Sequence, residues 1–186
     1  KDRNGLNLGE AAAFLVLESE ENAKKNKRKP LAEVKGWGNA NDAFHQTALS
    51  PEGKGAFLAM KKALERGRIR PQDVDYINAH GTATINNDIS EGMAIEKLFG
   101  EDIPLTGSTK SFTGHTLGAC GALEAAFCVM AINNNIVFPN LNIHTVDPQL
   151  HFEPVRTIVR GRKIVNVLSN AFGFGGNNRS LLFSAI

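Results

Sequence analysis

Cysteine is scarce in this chain of 186 residues, which contains only Cys120 and Cys128. The two lie in an apolar stretch with helical character, about two turns apart, which is too far for a disulfide bond. A framework of disulfides is therefore excluded. Free buried thiols are typical of a reducing compartment, so we predict a cytoplasmic protein.

The chain also lacks a large excess of either positive or negative charge. Lysine and arginine total 21 and aspartate and glutamate total 19, for a net charge of +2, so we expect neither a nucleic-acid nor a membrane partner. The basic run over residues 24–29 predicts a solvated helix end, with a docking patch for an acidic partner as the alternative. No apolar run approaches the length that we expect of a membrane span. Residues 1–5 do not resemble a signal peptide, and the missing initial methionine favours a piece of a longer protein.

What remains is the composition of a globular domain with a core, with 42% hydrophobic and 22% charged residues. Apolar runs that predict strands alternate with amphipathic segments that predict helices. Strands are predicted at 10–17, 31–37, 74–78, 103–106, 163–169 and 179–186, and helices at 18–29, 53–67, 88–99 and 117–132. This alternation predicts an α/β fold with a mostly parallel sheet and helices on both faces.

Three polar loops follow predicted strands: the turn at His80, residues 110–115, and the glycine-rich turn at 172–178. Because the carboxyl ends of parallel strands meet at one edge of a sheet, we expect these loops to form one site. The patterns of a phosphate-binding loop, a dinucleotide fingerprint, a nucleophile elbow and a zinc helix are each incomplete. We therefore expect no cofactor and no metal, and we interpret His144 and His151 as structural or exposed.

Glu124 lies inside an apolar predicted helix, where an unpaired charge would be costly. Lys110 is its best partner, and the pair is either purely structural or fixes the loop that carries His115. Two histidines facing one pocket could donate two N–H groups to a developing oxyanion. They could equally serve as base and acid, and the spacing leaves both possibilities open.

Four ordered motifs, NAHGTAT at 78–84, STKSFTGH at 108–115, GACGALEA at 118–125 and SNAFGFGGNN at 169–178, closely resemble β-ketoacyl-[acyl-carrier-protein] synthases of the elongating type. The resemblance extends over essentially the whole chain. It implies a thiolase-like fold of two similar halves, with a five-stranded mixed sheet in the carboxyl-terminal half. Residues 1–29 would be a strand and helix left from the amino-terminal half, and residues 30–186 the carboxyl-terminal ketosynthase domain.

The resemblance also implies a reaction, a decarboxylative condensation of malonyl on acyl carrier protein with an acyl group held on a cysteine. It assigns catalysis to His80, His115 and Lys110. It assigns binding of the substrate and the phosphopantetheine arm to Thr82, Thr84, Phe172 and Phe174. Phe174 would be a gating aromatic. Glu124 and Asp88 would support the site.

The chain departs from the family at three positions. Cys120 stands where alanine is usual and is interpreted as a small buried hydrophobe. Ile85 replaces a proline and Asn177 a threonine. Neither cysteine matches the nucleophile, so we expect that the chain alone does not catalyse condensation and that it needs the amino-terminal half.

The parent protein is expected to be a homodimer that binds acyl carrier protein. A non-catalytic partner subunit, like the chain-length factors of polyketide systems, is the alternative. A degradative thiolase-like enzyme is disfavoured by the Lys110 motif.

Overall fold

A five-stranded sheet forms the centre of the computed structural model, which describes residues 1–186. The strands are β1 Glu33–Asn41, β2 Tyr76–Asn78, β3 Leu105–Gly107, β4 Ile136–Val137, β5 Val159–Arg160, β6 Asn166–Gly173 and β7 Asn177–Ser184. The helices are α1 Glu20–Lys25, α2 Lys54–Gly67, α3 Ile85–Phe99, α4 Lys110–Thr113 and α5 Cys120–Asn134.

The sheet has the strand order β1–β7–β6–β2–β3, while β4 and β5 form a separate two-stranded ladder. Strands β6, β2 and β3 are parallel, and β7 is antiparallel to both β6 and β1. Four of the five strands therefore run in one direction. This confirms the predicted five-stranded mixed sheet.

Helices cover both faces, and alternate residues of the strands face opposite sides. Ile77 and Leu168 pack in the core formed with α2 and α3. Their neighbours Tyr76 and Val167 pack in a second core formed with α5. The alternation explains why the strands are apolar on both faces and why the site can lie only at the strand ends.

Two glycines of β1 allow α2 to lie directly on the edge of the sheet. A Cβ atom on Gly38 would come within 1.9 Å of the carbonyl oxygen of Ala59, and one on Gly36 within 2.2 Å of that of Ala63. Contacts this close exclude any side chain. This packing fixes the α2 layer, against which α3 packs.

The predicted strand at 10–17 does not form within this chain. This segment forms no ladder, and Phe14 and Val16 are 94% and 91% exposed. A strand exists only when its backbone groups find a neighbouring strand, and this chain offers none there. The predicted helix at 18–29 is shortened to α1, which begins after the N-cap residue Ser19.

Other boundaries also shift. Helix α3 begins at Ile85, three residues before the predicted start, and β6 extends through Gly173 into the predicted glycine-rich turn. That turn is reduced to a short 3-10 turn at Phe174–Gly176. The predicted loop after β3 contains the single-turn helix α4, which places Lys110 at the start of a helix.

The helical segment Leu117–Asn134 corrects the expectation that no apolar run approaches the length of a membrane span. Its 18 residues are long and apolar enough to cross a membrane by length and composition alone, contrary to the expected absence of such a run. A helix in a protein core passes the same test, and α5 packs on β6 and β7. It is not buried all round, however, because Leu117 and Met130 on its outer face are 62% and 47% exposed.

Candidate functional site

The site lies at the carboxyl ends of β2 and β3, as the sheet topology predicts. His80 follows β2, and the segment from Lys110 to His115 follows β3. A cavity of about 490 Å³ lies there, lined by side chains that include Thr82, Lys110 and His115. The structure therefore brings two of the three predicted loops together at this cavity, and Phe172 of the third loop packs against His80.

His80 is buried, and its ring orientation follows from its contacts. Its Nδ1 atom lies 3.2 Å from Nζ of Lys110, which in turn forms a buried ion pair with Glu124. An ammonium group can only donate hydrogen bonds, so Nδ1 of His80 must accept. The neutral ring therefore carries its proton on Nε2. The predicted Lys110–Glu124 pair is present.

His115 is fixed in the same tautomer by a different donor. The backbone N–H of Leu117 donates to its Nδ1 atom at 3.1 Å, so its proton also lies on Nε2. The centroids of the His80 and His115 rings are 5.4 Å apart and the rings are nearly perpendicular, at 87°. The two rings are therefore in edge contact, each with its N–H group on Nε2, and His115 lines the cavity whereas His80 does not.

The surroundings keep both rings neutral. Burial lowers the pKa of His80 well below its ordinary value, and the charge of Lys110 lowers it further, as does a proton on His115 when that ring is charged. Burial and Lys110 likewise lower the pKa of His115. Burial raises the pKa of Glu124 to about 6, although Lys110 opposes this effect. Near pH 7 the site therefore holds two neutral donors beside a charged pair.

Both rings are expected to stay neutral, with the proton on Nε2, when the pH is lowered from about 8 to about 6.5. Nitrogen-15 NMR of the imidazoles would measure their protonation state. In the urea-unfolded chain both rings should titrate at about pH 6.5. Because the folded pKa values are the lower ones, the stability that these rings contribute is complete above about pH 6.5 and is lost as the pH falls through the folded values. A ring that gains a proton at or above the unfolded value would contradict this.

The turn at Thr82–Thr84 follows His80 and is held by a hydrogen bond from its backbone to the side chain of Asp88. The hydroxyl groups of Thr82 and Thr84 are 2.9 Å apart, and Ala83 between them has a φ of 64°. The N–H of Ala83 donates to Asp88 at 3.1 Å, and Asp88 pairs with Arg3 at 3.2 Å. Asp88 therefore contacts the threonine turn, and its role in supporting the site stays a prediction. Thr82 lines the cavity, whereas Thr84 does not.

The two phenylalanines have different surroundings. Phe172 is buried, with its ring centroid 5.8 Å from that of His80. Phe174 is 75% exposed and does not line the cavity. It precedes Gly175, whose N–H donates to the carbonyl of Gln46 at 2.6 Å. The structure therefore places Phe172 against a site histidine and Phe174 on an exposed turn.

Sequence reasoning missed Glu91. This buried carboxylate accepts hydrogen bonds from the N–H groups of His80 and Gly81, both at 2.9 Å, and from Nδ2 of Asn170 at 3.0 Å. Burial raises its pKa, although the three donors favour its charged form. The signal was the one used for Glu124, an acid among small and apolar helix residues.

No group of three or more histidine, cysteine, aspartate or glutamate side chains has an arrangement that could hold a metal ion. The side chains present at the site include two neutral imidazoles in edge contact, and an imidazole N–H group is a suitable donor to an oxyanion. The Lys110 ammonium contacts the His80 ring directly, whereas its charge acts on His115 only by lowering the pKa of that ring.

Comparisons with known proteins agree with this arrangement. The family model for the carboxyl-terminal domain of β-ketoacyl synthases matches residues 31–144. The 3-oxoacyl-[acyl-carrier-protein] synthase 2 of Rhizobium meliloti (strain 1021) is 45% identical over 183 residues, which are 97% of this chain and 43% of that protein.

Solved structures show the same relationship. The ishigamide ketosynthase/chain length factor has a TM-score of 0.93 at 37% identity, and the match covers 100% of this chain and 46% of that one. A type II polyketide ketosynthase in complex with its acyl-carrier protein has a TM-score of 0.84 at 34% identity, covering 91% of this chain and 42% of that one. The chain thus spans less than half the length of each of these relatives.

Proposed function

Since this chain belongs to the β-ketoacyl synthase family, we propose that it is the carboxyl-terminal part of a 3-oxoacyl-[acyl-carrier-protein] synthase in fatty-acid or polyketide synthesis. The observation that carries this proposal is the pair of Nε2–H donors on His80 and His115, each fixed by a donor at Nδ1. The whole enzyme would be an acyltransferase, cytoplasmic and homodimeric.

The division of the chain is part of the proposal. Residues 1–29 would belong to the amino-terminal half, and residues 30–186 would form the carboxyl-terminal domain. Two exposed apolar surfaces support this division: the extended segment that contains Phe14 and Val16, and the outer face of α5. A second half that covered both surfaces would give the 10–17 segment its missing strand partner and bury the helix.

The first chemical step would be decarboxylation of a malonyl thioester. As the bond to the carboxylate breaks, carbon dioxide leaves and its electron pair forms an enolate with negative charge on the thioester oxygen. That charge grows between the two Nε2–H groups of His80 and His115, so the bonds strengthen in the transition state. Lys110 would act by donating to Nδ1 of His80, which keeps the donor proton on Nε2.

The second step would form a carbon–carbon bond. The carbanion attacks the carbonyl of an acyl group held as a thioester on a cysteine, the carbon–sulfur bond breaks, and the cysteine thiolate leaves. That cysteine would come from outside this chain, because the Cys120 thiol is buried and does not line the cavity, and Cys128 is wholly buried. The chain would therefore supply the malonyl half of the site.

Acyl carrier protein is the proposed partner. Thr82 and Thr84 would hydrogen-bond the phosphopantetheine arm, and Thr82 lies on the cavity wall. The complex of a related ketosynthase with its acyl-carrier protein supports this partner. Phe172 would line the acyl side next to His80. Phe174 would act as a gate, and its exposed position after β6 would allow it to move.

A non-catalytic, chain-length-factor-like subunit is the second candidate. It is favoured by the similarity to a structure that contains both a ketosynthase and a chain length factor. The ordered His80–Lys110–Glu124 contacts argue against it, because a scaffold has no use for two donors directed at one oxygen.

Condensation assays would test the proposal with two proteins, the 186-residue chain and a chimera that joins it to the preceding part of the Rhizobium meliloti relative. With acyl and malonyl carrier protein, we expect no 3-oxoacyl product from the chain and turnover from the chimera. His115→Ala in the chimera should lower kcat by about 10²–10³-fold, since it removes one of the two oxyanion donors.

His151→Ala provides the control, because this exposed histidine contacts only Glu96 and lies outside the cavity. Its turnover should match that of the unaltered chimera. Turnover by the chain alone would overturn its predicted inactivity. A folded chimera that binds malonyl carrier protein without turnover would favour the partner-subunit candidate.

A further inference from the structure

Cys120, the first residue of α5, contacts a site histidine, which its sequence interpretation as a simple buried hydrophobe did not anticipate. Its Sγ atom lies 3.3 Å from Nδ1 of His115, and the hydroxyl of Thr116 lies 3.5 Å from the same sulfur. Cys120 is buried and does not line the cavity, whereas His115 does. The thiol therefore meets the imidazole at Nδ1 and has no contact with the cavity.

The direction of this hydrogen bond follows from the neighbouring backbone. The N–H of Leu117 donates to Nδ1 of His115 at 3.1 Å, so this nitrogen is unprotonated. The hydrogen between sulfur and nitrogen must then belong to Cys120. Thr116 donates its hydroxyl proton to Sγ, so that the sulfur accepts one bond and donates another.

We propose that Cys120 is a positioning residue for His115, whose S–H donates to Nδ1 and, together with the Leu117 N–H, holds the ring neutral with its remaining proton on Nε2. A donated bond at Nδ1 also draws electron density from the ring and makes Nε2–H a stronger donor to an oxyanion. This role deepens the proposed function, because it acts on a donor that the condensation would use.

The other groups around His115 also favour a neutral ring. The ionisable side chains that face it are His80, in edge contact, and Lys110, whose charge disfavours a second proton on the ring. Glu124 lies behind Lys110 as its ion-pair partner. The uncharged backbone of residues 7–9 forms hydrogen bonds with the His115 backbone. Cys120 is thus the one side chain that contacts Nδ1.

Nitrogen-15 NMR of the histidine rings in the 186-residue chain tests the proposal without any need for turnover. Cys120→Ala should raise the pKa of His115 by about 0.4–1 unit and increase the Nδ1–H tautomer, since one donated hydrogen bond is lost. Cys120→Ser keeps a donor at the same position and should restore the titration. Cys128→Ala is the matched control, because it removes a buried thiol two turns along α5 and should leave His115 unchanged.

The proposal is overturned if Cys120→Ala titrates like the unaltered chain, or if serine behaves like alanine. In the chimera, Cys120→Ala should lower kcat about two- to tenfold with little change in KM, and serine should restore it. A chimera without turnover would count against the proposed function, whereas the NMR titration would still decide the role of Cys120.

Discussion

Lys110→Met is expected to destabilise the folded chain by about 3–5 kcal/mol, because it leaves the buried Glu124 carboxylate without a counter-charge. Both side chains of the pair are almost fully buried, and the second oxygen of Glu124 already has no partner. Methionine preserves the length of the side chain, so the loss would be chiefly electrostatic. Urea unfolding at several pH values would measure it.

The loss of stability in Lys110→Met should depend on pH, and the pKa of Glu124 gives the direction of that dependence. Lys110 lowers the pKa of Glu124, which is nevertheless about 6 in the folded chain, so its removal should raise that pKa further. The unfavourable charged state is then present above the folded pKa and disappears as the carboxylate gains a proton. The deficit of Lys110→Met should therefore be larger at about pH 8 than at about pH 5. Equal deficits at both values would contradict a buried, uncompensated carboxylate.

A double variant, Lys110→Met with Glu124→Leu, separates stability from function. Replacing both members of a buried ion pair with apolar side chains often restores stability. The donor at Nδ1 of His80 remains absent, however, so the ring should no longer be restricted to the Nε2–H tautomer. Recovered stability together with a mixed tautomer would show that Lys110 orders His80. A tautomer identical to that of the unaltered chain would refute this role.

The convergence of His80, Lys110 and His115 could be predicted because it depends on local rules. Apolar runs of strand length located β2 and β3, and the parallel arrangement placed their carboxyl ends at one edge. Glu124 could be paired with Lys110 because a charge inside an apolar helix requires a partner. These inferences need only the order of elements and the cost of burying charge.

Other features could not be predicted because they depend on surfaces that meet only in the folded protein. The 10–17 segment has strand-like composition, yet its exposed Phe14 and Val16 find no partner strand in this chain. The outer face of α5 is likewise apolar and exposed, and no other part of this chain covers it. Phe174 lies on an exposed turn outside the cavity, where bonds join the turn to the 41–46 segment, and its place beside an acyl pocket stays a prediction.

Glu91 shows a third limit, because its partners are mainly backbone N–H groups that the sequence does not display. Glu91→Leu is expected to destabilise the chain by about 3 kcal/mol or more, since it leaves three buried donors unsatisfied. Those donors are the N–H groups of His80 and Gly81 and the amide of Asn170. The turn that carries His80 should loosen, so chemical shifts of the His80 and Gly81 amides should change most.

Glu91→Gln is expected to destabilise the chain less than Glu91→Leu does. Glutamine keeps one acceptor oxygen but turns an NH₂ group toward one of the three donors, while removing the charge whose burial raises the pKa of Glu91. Its loss of stability should therefore fall between those of the unaltered chain and Glu91→Leu. Glu65→Gln on the solvent side of α2 is the control, because its exposed i,i+4 pair with Lys61 contributes little. If Glu91→Leu were as stable as this control, the carboxylate would not be what holds the histidine turn, and the position of His80 would have to rest on its ring contacts with Lys110, His115 and Phe172.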